Sequence, residues 1–86
     1  MSAYQVRFTP AARRAIDALP MSVALAALAL MTGDLADNPH RVGKALLPPL
    51  EGRHSARRGD YRILYRIGDE VVTILDVAHR RDAYRS

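Results

Sequence analysis

Eighty-six residues hold one domain near the small end of what folds unaided, and the absence of cysteine excludes disulfides and thiolate metal sites. Thirteen Lys and Arg against nine Asp and Glu give a formal net charge of +4 and a pI of about 10.1, pointing to a polyanionic or acidic partner. Three histidines without His-x-x-x-His spacing argue against structural zinc, and the most apolar run, Val23 to Met31, is far shorter than the roughly 20 residues that span a bilayer. The start lacks a basic segment followed by an apolar core, so we expect a cytoplasmic protein with no metal, no cofactor and no membrane contact.

Tyr4 to Phe8 alternates apolar and polar residues, the period of a half-buried strand. Thr9-Pro10 reads as a helix start, because threonine caps and proline suits the first helical position. Ala11 to Leu19 puts Ala12, Ala15, Ile16 and Leu19 on one stripe, and Pro20 ends it. A second helix is expected from about Ser22 to Met31, or on to Ala36 across a weakening Gly33, with much of its surface covered. His40 to Pro49 reads as a loop, broken by Gly43 and Pro48-Pro49. Strands follow at Glu51 to Arg57, Asp60 to Ile67 and Glu70 to Ala78, joined by two-residue turns at Arg58-Gly59 and Gly68-Asp69. A polar, basic tail runs from His79 to Ser86. The predicted fold is α+β in the order β-α-α-β-β-β. A helical hairpin packs on one face of a small, largely antiparallel four-stranded sheet, in a single domain over residues 1–86.

Charge is unevenly spread. Apart from Arg7, Arg13 and Arg14, the other ten of the 13 basic residues lie from Arg41 onward, and Lys44 is the single lysine. A genome that prefers arginine codons explains that ratio but not the clustering. A turn at Arg58-Gly59 sets Arg57 against Asp60, Ser55 against Arg62, Arg53 against Leu64 and Glu51 against Arg66. One face then carries Arg53, Ser55, Arg57, Asp60, Arg62, Leu64 and Arg66, and the other His54, Ala56, Tyr61, Ile63, Tyr65 and Ile67. A one-residue slip would bury the arginines, so the faces are well specified. A turn at Gly68-Asp69 sets Tyr65 against Val72 and Ile63 against Ile74, but drives Asp76 onto the apolar face beside Tyr61. A bulge near Asp76 resolves this, and so does a bond from the Tyr61 hydroxyl. Four arginines on one face suit a phosphate backbone; the plainer reading is a solvated sheet face.

The run Leu50-Glu51-Gly52-Arg53-His54-Ser55-Ala56-Arg57-Arg58-Gly59-Asp60-Tyr61-Arg62-Ile63-Leu64-Tyr65 closely resembles the central hairpin of toxins of the RelE/ParE superfamily, RelE type. Asn38 to Lys44 matches their loop, and Val77-Ala78-His79-Arg80-Arg81-Asp82-Ala83-Tyr84-Arg85 their C-terminal signature. The resemblance implies a toxin encoded with an antitoxin, cutting mRNA in the ribosomal A site without a metal. It implies that Arg62 holds the scissile phosphate, that Arg80 contacts phosphate and donates a proton, and that Tyr84 stacks on a base. Arg53 and Arg57 match second-strand positions that are basic in many members, and Arg58, Arg66, Arg81 and Arg85 add to the expected phosphate-binding set. Lys44 either contacts RNA or is a solvated loop lysine. The chain departs from the family at the general base: the second-strand positions where some members carry lysines are Arg53 and Ser55, and Ala45-Leu46-Leu47 offers no carboxylate. Arginine is a poor base. His79 is the best candidate for proton transfer, against a plain strand-end histidine.

The resemblance names as partners an acidic antitoxin, the ribosome and its mRNA, and operator DNA only through the toxin–antitoxin complex. Two other functions share the fold: a ParE-like inhibitor of DNA gyrase, and a catalytically weak co-repressor acting with its antitoxin.

Overall fold

The computed structural model describes residues 4–47, 49 and 52–79. Among the described residues nine elements follow one another: β1 (Gln5–Phe8), α1 (Pro10–Asp17), α2 (Met21–Thr32), α3 (Asp34–Asp37), α4 (Pro39–Val42), β2 (Lys44–Ala45), β3 (Arg53–Arg58), β4 (Tyr61–Ile67) and β5 (Val71–His79). The strands form one sheet in the order β1-β5-β4-β3-β2, parallel at β1–β5 and antiparallel elsewhere. The α+β class and the helices on one face are as predicted. The sheet has five strands rather than four, because the segment read as a loop from His40 contains a helical turn, α4, and the short edge strand β2. The long helical segment breaks at Gly33 into α2 and α3.

Thr9 performs two tasks at the first β-to-α junction. Its hydroxyl accepts the Ala12 N–H at 3.1 Å, capping α1 with Pro10 in the first turn. The same hydroxyl donates toward β5, to the carbonyls of Ile74 at 3.3 Å and Leu75 at 3.1 Å. Thus the cap that starts α1 also fastens it to the sheet.

The core lies between the helices and one sheet face. Ala12, Ala27, Leu30, Met31 and Leu35 meet Ala56, Tyr61, Ile63, Tyr65, Val72, Ile74 and Val77. The helix α2 is apolar on most sides, yet Met21 and Leu25 stand exposed, so its cover is less complete than its composition suggested. Among the described residues no helix is long and apolar enough to cross a membrane.

Both hairpins turn one step away from the expected positions. Gly59 and Asp60 make the first turn, flanked by Arg58 opposite Tyr61. Gly59 takes φ 57°, the left-handed conformation a type II′ turn needs at its first central residue. In the second, the Gly68 N–H donates to the Val71 carbonyl at 2.8 Å around Asp69 and Glu70, and Glu70 adopts φ 58°. Farther along this hairpin the register slips by one: Tyr65 faces Ile74, but Leu64 faces Asp76. Leu75 is the extra residue of a β-bulge.

Candidate nucleic-acid interface

Arginines reach one face through simple alternation. Ala56, Ile63 and Tyr65 point into the core, so Arg53, Ser55, Arg57, Arg62, Leu64 and Arg66 must point away from it. The face assignment stands for the strand residues and fails for Asp60, which leaves the ladder, and the pairing across the face differs from the expected one. Arg57 faces Arg62, Ser55 faces Leu64, and Arg53 faces Arg66. The expected partnership of Arg57 with Asp60 is absent from the ladder, because Asp60 sits in the turn. Glu51, the expected partner of Arg66, lies outside the described residues.

Three rows of side chains therefore cross the open face. One runs Arg7, Thr73, Arg66, Arg53; the next holds Asp76, Leu64, Ser55, Lys44; the third holds Ala78, Arg62, Arg57. All six cations in these rows are exposed, while Thr73, Leu64, Ser55 and Ala78 are half-buried between them. Two of the rows set arginine directly against arginine. Like charges so placed weaken a sheet, whereas a phosphate between them gains two guanidinium forks. The face is chemically suited to a polyanion.

Lys44 joins the face because β2 pairs it with Ser55, which settles its position as a strand residue rather than a loop lysine. That pairing depends on Tyr65. The Tyr65 hydroxyl is buried and donates to the Pro39 carbonyl at 2.6 Å, tying α4 to the sheet. Burial pushes its pKa up, and a hydrogen bond with the Gly43 backbone partly offsets this. A Cβ on Gly43 would collide with that hydroxyl and lie 2.7 Å from the Ser55 carbonyl oxygen, so the close approach requires glycine. His54 stacks on Tyr65 with centroids 5.5 Å apart and meets His40 edge-on at 5.9 Å. Burial lowers the His54 pKa below its ordinary 6.5, and the nearby His40 lowers it further.

Two expected site residues lie elsewhere. The bulge at Leu75 reverses the alternation beyond it, so Asp76 and Ala78 turn to the arginine face and Val77 and His79 to the helix side. His79, half-buried, therefore stands opposite Tyr61, not beside Arg62. Arg58 also faces Tyr61, at the exposed end of the hairpin. Burial raises the Tyr61 pKa and the Arg58 charge opposes that rise. Asp76 does not bond Tyr61; its carboxylate accepts the Val77 N–H at 2.8 Å, beside the bulge. Arg80, Arg81, Tyr84 and Arg85 lie outside the described residues. Arg7, Thr73 and Asp76 were not foreseen on this face. Alternation in β1 puts Arg7 opposite in sense to Val6 and Phe8, but only the pairing of β1 with β5 brings it into line with Arg66.

The family model for the ParE toxin of the type II toxin–antitoxin system parDE matches residues 6–84. The chain belongs to the ParE toxin family. This ParE-family chain is similar to toxin RelG of Mycobacterium tuberculosis, at 52% identity covering 95% of this chain and 97% of that protein. It is also similar to toxin RelE of the same organism, at 46% identity over 95% of this chain and 87% of the other. Thus the resemblance to the RelE side of the superfamily holds. Among solved structures, the toxin–antitoxin complex RelBE2 of M. tuberculosis matches with a TM-score of 0.88 and 49% identity, covering 91% of this chain and 99% of that one. The RelBE complex of E. coli shares the fold, with a TM-score of 0.74 over 90% of this chain and 96% of that one at 17% identity.

Proposed function

We propose that this ParE-family toxin acts in the cytoplasm as a metal-independent endoribonuclease that cuts mRNA in the ribosomal A site and so inhibits translation. The observation that carries the reading is the Arg57–Arg62 row: two exposed guanidiniums opposed on an open face, where charge on a phosphate would develop. In the reaction, the RNA 2′-oxygen attacks the adjacent phosphorus, the bond to the 5′-oxygen breaks, one proton leaves the 2′-hydroxyl and one reaches the departing oxygen. Arg62, with Arg57 opposite, stabilises the negative charge that builds on the phosphoryl oxygens. By resemblance, Arg80 contacts phosphate and Tyr84 stacks on a base. His79 is a weaker candidate for proton transfer than the sequence suggested, since it shares a row with Tyr61.

An acidic antitoxin is the proposed protein partner, supported by similarity to toxins solved as RelB–RelE complexes. The basic face, the exposed apolar side of α2 and the free edge of β1 are the surfaces it would use, with operator DNA bound only by the complex. One observation favours a second reading, gyrase inhibition: among the described residues the three paired rows of the open face hold no histidine and Asp76 as their single carboxylate, a meagre set for acid–base work. Primer extension on purified ribosomes loaded with a defined mRNA separates the two. A new 5′ end within the A-site codon, lost in Arg62→Ala and Arg80→Ala, supports mRNA cleavage. An uncut message together with inhibited DNA supercoiling replaces it with gyrase inhibition.

A further inference from the structure

The row formed by Arg7, Thr73, Arg66 and Arg53 is separate from the row of Arg57 and Arg62. On both β3 and β4 the two rows are four residues apart, which at about 3.3 Å per residue is about 13 Å, too far for one phosphate to touch both. The two are divided by Leu64, half-buried in the middle row. The single carboxylate in the paired rows, Asp76, also belongs to that middle row, so the first row holds three cations and no acid. Arg7 and Arg66 are the strand neighbours on either side of Thr73, roughly 10 Å apart at two strand spacings. Thr73, half-buried, is the short side chain between these two exposed arginines, so one hydroxyl and two guanidiniums share the row. Arg53, beyond Arg66, extends it. Setting Arg53 against Arg66 brings the fold no stabilisation of its own.

We infer that Arg7, Thr73 and Arg66 form a second phosphate-binding site, which holds the same RNA strand as the Arg57–Arg62 row but at a different backbone phosphate. The inference rests on the proposed reading of the face as an mRNA-binding surface. Its role is positioning: Arg7 does not touch the reacting atoms but sets where along the face the strand lies.

The test uses the purified toxin and fluorescent single-stranded RNA of two lengths, a dinucleotide with one phosphodiester and a hexanucleotide. Arg7→Gln is expected to weaken hexanucleotide binding about fivefold and to reduce the steepness of its salt dependence by about 0.7 in log–log slope. It is expected to weaken dinucleotide binding less, because a single phosphodiester can still occupy the Arg57–Arg62 row. The variant Arg57→Gln is expected to weaken both. Equal hexanucleotide affinity and salt slope in wild type and Arg7→Gln would overturn the inference. So would an effect of Arg7→Gln confined to whole ribosomes, which would assign the row to ribosomal RNA, or one confined to the antitoxin, which would assign it to the protein partner. A wild type that binds the hexanucleotide in this length-dependent way, yet cuts no message on ribosomes, defeats the cleavage reading and leaves the second site standing. Arg7 is exposed, so melting of Arg7→Gln should coincide with that of the wild type.

Discussion

Arg57 stands directly opposite Arg62 across the β3–β4 ladder, two like charges with nothing to gain from each other. A sheet evolved for stability alone would place a carboxylate at one of the two positions. The arrangement makes sense when the pair is completed by an anion.

Removing one of these charges should therefore separate stability from activity. Arg62→Ala is expected to melt within about 0.5 kcal/mol of the wild type, since the residue is exposed and its loss relieves repulsion. Cleavage on programmed ribosomes should fall by about a hundredfold or more. A large drop in melting temperature would contradict the exposed placement.

The Thr9 hydroxyl offers a contrasting case, because it holds structure and touches no substrate. Thr9→Ala removes the α1 cap and the contact with the bulge carbonyl of Leu75 together, and is expected to cost about 1–2 kcal/mol in urea unfolding. Thr9→Ser keeps the oxygen and should recover most of that loss. If the two variants unfold alike, the hydroxyl contributes little.

Gly43→Ala should be more damaging than its size suggests. The added methyl would occupy the space of the Tyr65 hydroxyl, forcing it away from the Pro39 carbonyl and displacing β2 from β3. We expect a loss of roughly 1–3 kcal/mol. Amide exchange should show the β2–β3 pairing opening before the rest of the sheet.

Acid should loosen the same region. The neutral form of His54 is favoured in the folded chain, so the unfolded chain binds the proton first as pH falls. Stability associated with His54 is present above its ordinary pKa of 6.5 and is lost as pH drops through that value toward the lower folded one. His54→Phe keeps a ring on Tyr65 and should make the melting temperature less sensitive to pH between about 7.5 and 5.5. Identical pH dependence in the two proteins would exclude the histidine as the cause.

The faces of the hairpin were legible in the sequence while the partners across it were not, and the reason is geometric. Alternation specifies which side of the sheet a residue takes, and moving both turns by one position leaves every residue on its side while changing whom it meets. Hence alternation puts Arg53, Arg57, Arg62 and Arg66 on one face, while the ladder pairs Arg57 with Arg62 and not with Asp60. The bulge is a harder case. The sequence marked Asp76 as awkward, but only the backbone shows that Leu75 absorbs the extra residue, and from that point His79 changes sides. Arg7 was unreadable for another cause: no local pattern records that β1 pairs in parallel with a strand at the far end of the chain.

That distant pairing sets a schedule for assembly. The Thr9 hydroxyl reaches carbonyls 65 and 66 residues later in the chain, and among the described residues β5 is the only strand beside β1. Contacts of such separation form slowly, because a long loop must close before they return anything. During synthesis the first strand has to wait for the last one, and β4 has an open flank until then. A growing chain interrupted anywhere before β5 has no completed sheet on which to array its arginines.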